Sequence, residues 1–346
     1  MNKKKVVLGM SGGVDSSVAV YLLQKAGDEV HGVHMVMIPD EFNPNPNAAS
    51  DAEAVAKQFD ITFSVLDVRE QFRERIIQQF ADEYSNGRTP NPCVLCNKLF
   101  KFGFLAEELQ KFDADYISTG HYVNVSDTLF QKAIDTKKDQ SYFLAMVNPA
   151  IVEKCIFPLG NYTKDQVRDI AREIGIHVAE KKDSQEICFI PDNDYKNCLT
   201  KILPPAAFRK GKVYHKDGSY LGTHNGIQNY TIGQRKGLGI ALGKPAYVVQ
   251  LDAKRNQVIL GDNEHLMANK LTASANNYFL PVPIEEPFPV EAKIRYRTQA
   301  APATLVRHED GSATVTFQEP QRAITPGQCV AYYIGEALVG GGIIEG

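Results

Sequence analysis

Predicted strands and helices alternate along the first 190 residues of the chain. The apolar run Val6–Met10 predicts a strand, and the apolar-periodic stretch after it predicts a helix to Lys25. Further strands are predicted at Val30–Met37, Thr62–Leu66 and Tyr116–Thr119. This alternation is typical of a parallel sheet that is covered by helices on both faces, so we expect an α/β fold here.

Two capping boxes and a glycine predict where helices of this region begin and end. Ser50-Asp51-Ala52-Glu53 predicts the start of one helix, and Thr163-Lys164-Asp165-Gln166 predicts the start of another, which Gly175 ends. Helical stretches are also predicted after the third strand to Tyr84 and over Asn97–Phe112. Ligands of parallel sheets bind at the carboxyl ends of the strands, where the segments after the first and fourth strands both fall.

The pattern changes near Pro204-Pro205, and beyond it we predict short strands and no long helix. Tyr247–Leu251 and Gln257–Leu260 flank the polar turn Asp252–Asn256, which predicts a hairpin. The Pro-rich segment Leu280–Pro289 separates two predicted β modules. Five segments predict a small antiparallel barrel: Val290–Tyr296, Ala303–Val306, Ala313–Phe317, Gln328–Tyr333 and Ala337–Val339.

Length and composition agree with a globular protein of several domains. At 346 residues the chain is too long for one small core, and 43% hydrophobic with 23% charged residues is ordinary for a soluble protein. We predict domains over residues 1–204, 205–274 and 275–346. No apolar run approaches a membrane span, and the N-terminus does not read as a signal peptide. Six cysteines in a chain of this size favour a reducing cytoplasm over a disulfide framework.

Charge gives a weaker indication of a partner. The net charge is −3, which does not by itself suggest nucleic acid. Residues 1–204 carry 23 basic and 29 acidic side chains, whereas residues 205–346 carry 15 basic and 12 acidic ones. A mildly basic second part is compatible with a phosphate backbone, although asymmetry of this size also arises by chance.

Ser11-Gly12-Gly13-Val14-Asp15-Ser16-Ser17 is the most informative segment. It connects a predicted strand to a predicted helix, so its backbone N–H groups and the helix dipole form an anion site. The serines offer hydroxyl donors, and Asp15 is a candidate magnesium ligand. The chain contains no Gly-x4-Gly-Lys-Ser/Thr motif, so the loop has no lysine for a γ-phosphate. The segment resembles the pyrophosphate loop (PP-loop) of enzymes that split ATP into AMP and pyrophosphate.

Thr89-Pro90-Asn91-Pro92-Cys93-Val94-Leu95-Cys96-Asn97 places two thiols near a predicted helix N-terminus. The helix dipole there is expected to lower the thiol pKa and favour the thiolate. A zinc site, a redox pair, a sulfur-handling pair and two packed small side chains remain open as interpretations of Cys93 and Cys96. No matching second ligand pair follows at the usual zinc spacing.

A third segment, Asp183-Ser184-Gln185-Glu186-Ile187-Cys188-Phe189-Ile190, contains Cys188 among apolar neighbours. Taken alone, that pattern is typical of a buried core cysteine. Cys155, Cys198 and Cys329 have no supporting context and are interpreted as structural.

Together these segments resemble the tRNA-specific 2-thiouridylase family of PP-loop ATP pyrophosphatases. The resemblance covers essentially the whole chain, in order. Four further motifs carry it: Ser118-Thr119-Gly120-His121-Tyr122, Lys138-Asp139-Gln140-Ser141-Tyr142-Phe143-Leu144, Thr231-Ile232-Gly233-Gln234-Arg235-Lys236-Gly237-Leu238-Gly239 and Gly340-Gly341-Gly342-Ile343-Ile344. It implies a PP-loop ATP pyrophosphatase domain, a small central β-containing module and a C-terminal antiparallel β-barrel.

The resemblance also implies a reaction. The family replaces the C2 oxygen of the tRNA wobble uridine with sulfur, after ATP has adenylated that oxygen. Cys188 would carry a persulfide, and Cys96 would be the nucleophile or resolving thiol that forms a disulfide with Cys188. Asp15 and the loop would hold pyrophosphate and magnesium. The implied ATP-site residues are Gly9, Met10, Ser11, Gly12, Gly13, Val14, Asp15, Ser16, Met35 and Gly120.

The tRNA contacts implied by the resemblance fall in several parts of the chain. They are Asn91, Pro92, Cys93, His121, Lys138, Asp139, Gln140, Arg295, Tyr296 and Gln328. A uridine to be modified must leave its stack, and basic and aromatic side chains on a β module suit an RNA strand. For His121, roles as a base, as a base contact and as a structural histidine all remain open.

The chain departs from the family pattern at two places. Many members have aspartate where this chain has Cys93, and three thiols, Cys93, Cys96 and Cys188, would also suit an iron–sulfur cluster that binds sulfide. Persulfide chemistry is the first hypothesis and cluster chemistry the second. The segment after Met37 lacks the acidic and aromatic residues often found there, so contacts from that region are not carried over.

The expected partners are tRNA and a sulfur-relay protein or cysteine desulfurase, with no membrane. Two alternatives belong to other classes. A PP-loop ligase or amidotransferase-type synthetase would use the loop but no cysteines. A non-catalytic RNA-binding protein would hold a metal with Cys93 and Cys96 and would produce no AMP.

Overall fold

The computed structural model describes residues 3–181, 187–190, 194–240, 243 and 245–346. The chain forms two compact units, neither of which is continuous in sequence. The first unit comprises Met1–Glu74, Cys93–Asn193 and Gly335–Val339. The second unit comprises Arg75–Pro92, Asp194–Ile334 and Gly340–Gly346. The boundaries predicted at residues 204 and 274 stay a prediction.

A five-stranded sheet forms the centre of the first unit. Its strand order is β3-β2-β1-β4-β7, and every pairing in it is parallel. The predicted parallel sheet is therefore confirmed. A short hairpin, β5–β6, belongs to the same unit. The strands are β1 (Lys5–Gly9), β2 (Glu29–Val36), β3 (Thr62–Asp67), β4 (Tyr116–Thr119), β5 (Asn124–Ser126), β6 (Leu129–Gln131) and β7 (Cys155–Ile156).

Helices cover this sheet. Alternating apolar residues of β1, such as Val6 and Leu8, pack with Val18 and Val55 from the neighbouring helices and form a core with little solvent access. The helices in the described part of the chain are, in order, α1 (Val14–Lys25), α2 (Ala48–Gln58), α3 (Arg69–Phe72), α4 (Gln79–Ser85), α5 (Pro92–Cys96), α6 (Phe102–Lys111), α7 (Lys164–Glu173) and α8 (Tyr195–Ile202). Two π-helical stretches lie at Arg73–Gln78 and Asn97–Lys101, and 3-10 turns at Asp40–Phe42, Ser141–Leu144, Pro149–Lys154, Pro205–Ala207, Ile227–Asn229 and Asn263–Leu266.

One of the two predicted capping boxes is present. The Thr163 hydroxyl accepts a hydrogen bond from the Gln166 N–H at 3.3 Å, and the Gln166 side chain accepts from the Thr163 N–H at 2.8 Å. The capping box predicted at Ser50 is wrong, because α2 begins at Ala48 after Asn47. Ser50 lies inside the first turn of α2, where its hydroxyl donates to the Asn47 carbonyl at 2.9 Å.

A four-stranded sheet in the second unit has the order β10-β11-β8-β9. The predicted hairpin is confirmed, since β10 and β11 pair antiparallel across the turn between them. The strand β11 then pairs parallel with β8, so the sheet is mixed. Its strands are β8 (Lys210–His215), β9 (Tyr220–Asn225), β10 (Tyr247–Asp252) and β11 (Gln257–Gly261).

A closed antiparallel barrel of six strands follows. Its order is β12-β15-β14-β13-β16-β17, and pairing of β12 with β17 closes it, which confirms the predicted barrel. The strands are β12 (Met267–Tyr278), β13 (Phe288–Lys293), β14 (Ala301–Arg307), β15 (Ala313–Arg322), β16 (Cys329–Ile334) and β17 (Ala337–Ile344). Within the described residues, no helix combines the length and the apolar character needed to cross a membrane.

Candidate functional site

The loop after β1 is held by its own serines. The Ser16 hydroxyl accepts from the Ser11 N–H at 3.2 Å and faces the Gly13 carbonyl at 3.2 Å, to which the Ser17 hydroxyl donates at 2.9 Å. The N-cap residue of α1 is Gly13, which has no side chain to cap the first turn. The N–H groups of that turn and the helix dipole therefore favour an anion at this position. These features fit the phosphates of a nucleotide.

Two glycines allow the close packing around this loop. Gly12 has a positive φ of 70°, and a Cβ there would lie 2.3 Å from the Ala48 carbonyl oxygen. Gly120 follows β4, and a Cβ there would lie 2.7 Å from the Ser16 backbone nitrogen. The ends of β1 and β4 thus meet at the carboxyl edge of the sheet, as the alternation of strands and helices indicates.

Asp15 lies in the first turn of α1 and contacts two residues from distant segments. The Tyr122 hydroxyl donates to Asp15 Oδ1 at 2.8 Å, and Lys164 Nζ donates to the same oxygen at 2.7 Å. The Lys164 side chain is 9% exposed and that of Asp15 33%, so the ammonium is buried beside a carboxylate that reaches solvent. The loop therefore has a cation beside it although its own sequence has none.

A second lysine contacts the loop directly. Lys181 Nζ lies 3.1 Å from the Gly12 carbonyl oxygen and 2.7 Å from Asp51 Oδ2. The hydrogen bond from Lys181 lowers the pKa of Asp51, and His177 adds to the effect at 3.4 Å. Asp51 stands in the first turn of α2, so two helix N-termini and two lysines surround the loop.

Three other residues of the implied ATP site lie at the ends of β1 and β2. Gly9 is the last residue of β1, and a Cβ there would lie 3.2 Å from a Leu105 methyl carbon. The Met10 carbonyl accepts from His34 Nδ1 at 2.8 Å. Met35, next to His34 in β2, is buried.

Cys93 and Cys96 lie on α5, and the π-helical stretch follows immediately. Asn97 is buried and its side-chain amide donates to the Cys93 carbonyl at 3.0 Å. Burial raises the pKa of both thiols, that of Cys96 to about 11, while the charge of Lys101 opposes the shift. The prediction that the helix dipole would lower these pKa values is therefore wrong. Loss of water around the sulfur outweighs the dipole of a helix only five residues long.

Cys188 is exposed, whereas its sequence context alone favoured a buried position. The pKa of its thiol is nevertheless raised, first by poor hydration of the sulfur and then by the Cys96 and Cys93 thiols. The pKa of the Cys188 thiol therefore depends on both thiols of α5. Cys96 and Cys188 are free cysteines. Residues 183–186 of the motif lie outside the described residues.

Aromatic packing brings the Cys188 segment to the thiols of α5. Phe189 is buried and its ring lies edge-on to Phe72, with 6.0 Å between ring centroids. Phe72 in turn packs edge-on against Phe100 at 5.2 Å, in the π-helical stretch after Cys96. Phe72 is completely buried, so it links the two cysteine-bearing segments.

His121 is a buried histidine beside Gly120. Its Nδ1 hydrogen-bonds the Thr119 hydroxyl at 2.7 Å, and the Phe102 and Phe157 rings lie about 6 Å from it. Burial, together with the charge of Lys101, holds its pKa well below the ordinary value, so the ring is neutral at pH 7. Lys101 thus acts electrostatically on His121 as well as on the three thiols.

Two residues of the implied tRNA-binding segment, Asp139 and Gln140, make internal contacts. The buried Asp139 carboxylate accepts from the N–H groups of Ala133 and Ser141 at 3.1 and 3.2 Å and from the Ser141 hydroxyl at 2.9 Å. Gln140 exchanges two hydrogen bonds with the Tyr122 backbone. The segment therefore positions Tyr122, the donor to Asp15. The Lys138 N–H donates to the Asp135 carbonyl at 3.0 Å.

The remaining implied tRNA contacts lie in the second unit. The Gln328 side-chain amide donates to the Thr89 and Pro90 carbonyls at 2.7 and 3.3 Å, just before Asn91 and Pro92. Arg295 donates to the Ile232 and Ala323 carbonyls, both at 3.3 Å, and to the Thr325 hydroxyl. The Lys293 ammonium lies 5.5 Å from the centroid of the Tyr296 ring.

The described residues contain no group of three His, Cys, Asp or Glu side chains close enough to hold a metal ion. Whether Cys93, Cys96 and Cys188 hold a cluster stays a prediction. Asp15 fits a different requirement, because magnesium at a nucleotide site takes one or two carboxylates and completes its shell with phosphate oxygens and water.

Sequence reasoning missed Lys164, Lys181, Tyr122 and Lys101. Lys164 belongs to a recognised capping box, yet nothing in that motif points to Asp15, which is 149 residues away. Lys181 is 169 residues from Gly12. Tyr122 is the last residue of the motif Ser118–Tyr122, and Lys101 lies in the helix predicted over Asn97–Phe112, but neither was identified as a site residue.

Three family models match the chain in succession. They describe a tRNA methyl transferase HUP domain over residues 4–192, a tRNA methyl transferase PRC-barrel domain over residues 196–262 and an aminomethyltransferase beta-barrel domain over residues 268–344. The fold and these models define a nucleotide-binding enzyme class with two appended β domains.

Full-length relatives identify the family. The chain is 46% identical to the tRNA-specific 2-thiouridylase MnmA of Clostridium acetobutylicum over 354 residues, covering 99% of each chain. It is 47% identical to MnmA 1 of Clostridium botulinum over 355 residues, with the same coverage. The chain belongs to the tRNA-specific 2-thiouridylase family.

A solved structure is less similar. The U34-tRNA thiolase NcsA from Methanococcus maripaludis, with its 4Fe-4S cluster, is 18% identical, with a TM-score of 0.37 over 60% of this chain and 70% of that one. Similarity at this level supports no argument about the chemistry of this chain.

Proposed function

We propose that this protein is an ATP-dependent tRNA uridine 2-sulfurtransferase that acts on the wobble uridine. Identity of 46% to a tRNA-specific 2-thiouridylase along 99% of both chains is the observation that carries the proposal. The site geometry supports it, because an anion-binding loop and three thiols occur in the same unit. Gly120 lies against the loop, and His121 is the next residue along the chain. The charge of Lys101 acts on His121 as it does on the thiols.

The first step would activate the C2 oxygen of uridine. That oxygen attacks the α-phosphorus of ATP, the bond to the β-phosphate breaks, and pyrophosphate leaves. The first turn of α1 would bind the pyrophosphate part, with Ser11 and Ser16 as further donors. Magnesium, held by Asp15 and the phosphates, would neutralise charge that develops on the leaving group. Gly9, Met10, Val14, Met35 and Gly120 would line the rest of the nucleotide site.

The second step would transfer sulfur. The terminal sulfur of a Cys188 persulfide attacks C2, and the oxygen leaves with AMP. The Cys96 thiolate then attacks Cys188 Sγ, a disulfide forms between the two cysteines, and the electron pair of the broken S–S bond stays on the sulfur at C2. A thiol reductant restores both cysteines before a donor loads the next sulfur.

The raised thiol pKa values set a requirement for this chemistry. At pH 7 the Cys96 thiol is protonated in the free protein, so it must lose its proton as the reaction proceeds. Two groups would favour this loss of the proton. The phosphate of the released AMP would accept a proton, and the Lys101 ammonium would stabilise the thiolate. A thiol that stays protonated until substrate is bound is also protected from wasteful oxidation.

For the RNA, we propose contacts with Asn91, Pro92, Cys93, His121, Lys138, Arg295 and Tyr296 in the complex. Asp139, Gln140 and Gln328 would act through the segments that they hold in place. A sulfur-relay protein or cysteine desulfurase would load Cys188, whose exposure in the free protein supports access by such a donor. The proposed compartment is the cytoplasm.

The test measures 2-thiouridine by nucleoside mass spectrometry. Unmodified lysine tRNA is incubated anaerobically with the protein, Mg-ATP and a sulfur donor. We expect thionucleoside from the wild-type protein and from the control Cys198→Ser, whose thiol lies on α8. Cys96→Ser and Cys188→Ser should form none while tRNA binding, measured by filter retention, is unchanged. Near-normal product from either variant would show that its assigned role is wrong.

Other outcomes of the same assay identify the alternatives. AMP without thionucleoside in every sample would favour a PP-loop ligase with a different acceptor. A stoichiometric iron–sulfur cluster, found by iron and sulfide analysis after anaerobic purification and required for turnover, would replace the persulfide mechanism. Binding of tRNA with no AMP at all would favour the non-catalytic interpretation.

A further inference from the structure

The loop between β1 and α1 has to bind a polyanion without a lysine of its own. Residues 11–17 contain only serine, glycine, valine and aspartate, and the aspartate adds a negative charge. Backbone N–H groups and a helix dipole supply partial charges, whereas pyrophosphate carries several full ones. Any full positive charge that the protein itself contributes close to the loop therefore comes from elsewhere in the chain.

Two lysines from separate elements provide such charges. Lys164 begins α7, and its backbone N–H is fixed by Asp135 Oδ2 at 3.0 Å. Its ammonium lies 5.9 Å from the centroid of the Tyr122 ring and 2.7 Å from Asp15. Lys181 reaches the loop itself, at the Gly12 carbonyl. Both ammonium groups are thus held at the loop by contacts that span more than a hundred residues of sequence.

Asp15 and Asp51 are both stabilised by groups other than the lysines, so neither needs a lysine only to neutralise its charge. Asp15 and Asp51 each stand in the first turn of a helix, where the dipole already favours a negative charge. Asp15 also accepts a hydrogen bond from the Tyr122 hydroxyl, and Asp51 is hydrogen-bonded to His177 Nε2. The Lys164 side chain, 9% exposed, loses hydration that a purely structural surface pair would keep. An ammonium placed in this way is ready to move from a carboxylate oxygen to a phosphate oxygen.

We propose that Lys164 and Lys181 are the phosphate-binding cations of the ATP site, and that Asp15 and Asp51 hold them in place while the site is free of nucleotide. The proposal rests on the proposed function, since it assigns the charges that bind the pyrophosphate part of ATP. Each ammonium exchanges a carboxylate partner for a phosphate oxygen of the ligand, and no covalent bond changes. Lysine suits this exchange because it binds phosphate as a mobile point charge.

Inorganic pyrophosphate is the probe, and isothermal titration calorimetry without magnesium is the measurement. We expect Lys164→Met and Lys181→Met each to weaken pyrophosphate binding about tenfold or more, as for loss of a charged hydrogen bond. Lys111→Met is the matched control, because Lys111 also pairs with a carboxylate of the first unit, that of the buried Glu108, far from the loop in sequence. Its affinity should equal that of the wild-type protein.

The double variant Asp15→Asn/Lys164→Met separates binding from structural support. If Lys164 serves only to neutralise Asp15, removal of both charges restores wild-type pyrophosphate affinity, which would overturn the proposal. We expect the double variant to regain the melting temperature lost by Lys164→Met and to bind pyrophosphate as weakly as that variant. Wild-type affinity in both single-lysine variants, or no measurable binding by the wild-type protein, would also contradict it.

A second measurement needs no variant that might unfold. Pyrophosphate should slow the acetylation of Lys181 in the wild-type protein, while Lys111, 61% exposed, should react at an unchanged rate. Peptide mass spectrometry follows both sites in one sample. Equal protection factors at the two lysines would contradict the proposal. Normal pyrophosphate binding without any thionucleoside would instead count against the proposed function and leave this inference intact.

Discussion

Replacing Gly120 with alanine tests the close contact between the end of β4 and the first turn of α1. The new Cβ would lie 2.7 Å from the Ser16 nitrogen and 2.9 Å from the Asp15 carbonyl carbon, and both are backbone atoms of a hydrogen-bonded turn. An ordinary contact requires a retreat of about 0.7 Å, since unstrained Cβ contacts start near 3.4 Å. Overpacking of this kind costs about 1–3 kcal/mol of folding free energy.

The same displacement would disturb catalysis more than folding. A shift approaching 1 Å in a positioned group lowers a rate by up to about 100-fold, so we expect AMP formation to fall by between about 10-fold and 100-fold. Thermal denaturation measures the stability change, and single-turnover release of pyrophosphate measures the rate. Gly103→Ala is the matched control. Its Cβ meets only the Lys98 carbonyl oxygen at 3.4 Å inside α6, where alanine is preferred by about 0.5–1 kcal/mol.

The two glycine variants should therefore change melting temperature in opposite directions. Wild-type stability and wild-type pyrophosphate release in Gly120→Ala would refute the reasoning, because the contact would then be too loose to position the loop. Loss of stability with an unchanged rate would show that the packing is tight but that the loop does not depend on it.

Two further predictions concern the thiols. Phe72→Ala should destabilise the first unit by about 3–5 kcal/mol, as for other large-to-small changes of buried aromatic residues, and should slow sulfur transfer because Phe72 links Phe189 to Phe100. Urea unfolding and single-turnover thiolation measure the two effects, Phe72→Leu should be milder in both, and an unchanged transfer rate in Phe72→Ala would contradict the linking role. Alkylation of Cys96 in the free protein should speed up about tenfold per pH unit from pH 7 to pH 10, because its pKa is raised to about 11 and only the thiolate reacts. Peptide mass spectrometry at each pH gives the rates, and a plateau below pH 9 would show that the thiol is more acidic than its burial implies.

Sequence patterns predicted most of the parallel sheet and most of the barrel, because both depend on regular placement of apolar residues. The strand β12 was not predicted, because its apolar residues do not alternate regularly with polar ones. Half of its twelve residues are polar, and only Leu271 and Ala273 are deeply buried. Pairing with two partners, β15 and β17, makes it a strand, and such pairing leaves no local signal.

The site was predicted in part. The loop and the cysteine segments were recognisable because the functional residues of each segment follow one another in the sequence. The two lysines beside the loop were not, because only the tertiary structure places Lys164 beside Asp15 and Lys181 beside Gly12. The sign of the thiol pKa shifts was also wrong, since a helix N-terminus is visible in sequence whereas burial of the sulfur is not.

The discontinuous first unit has a consequence for synthesis on the ribosome. Ala337 pairs with Gln131 at the end of β6, the Lys132 N–H donates to the Glu336 carbonyl at 2.9 Å, and the Lys132 ammonium reaches the Gly335 carbonyl at 2.8 Å. The nascent chain emerges from its N-terminus, so residues 131 and 132 leave the ribosome about two hundred residues before these partners. Until then the backbone groups of that strand end lack their native partners. The nucleotide-binding part of the protein can thus begin to fold early, but its last edge is completed only when residues 335–339 arrive.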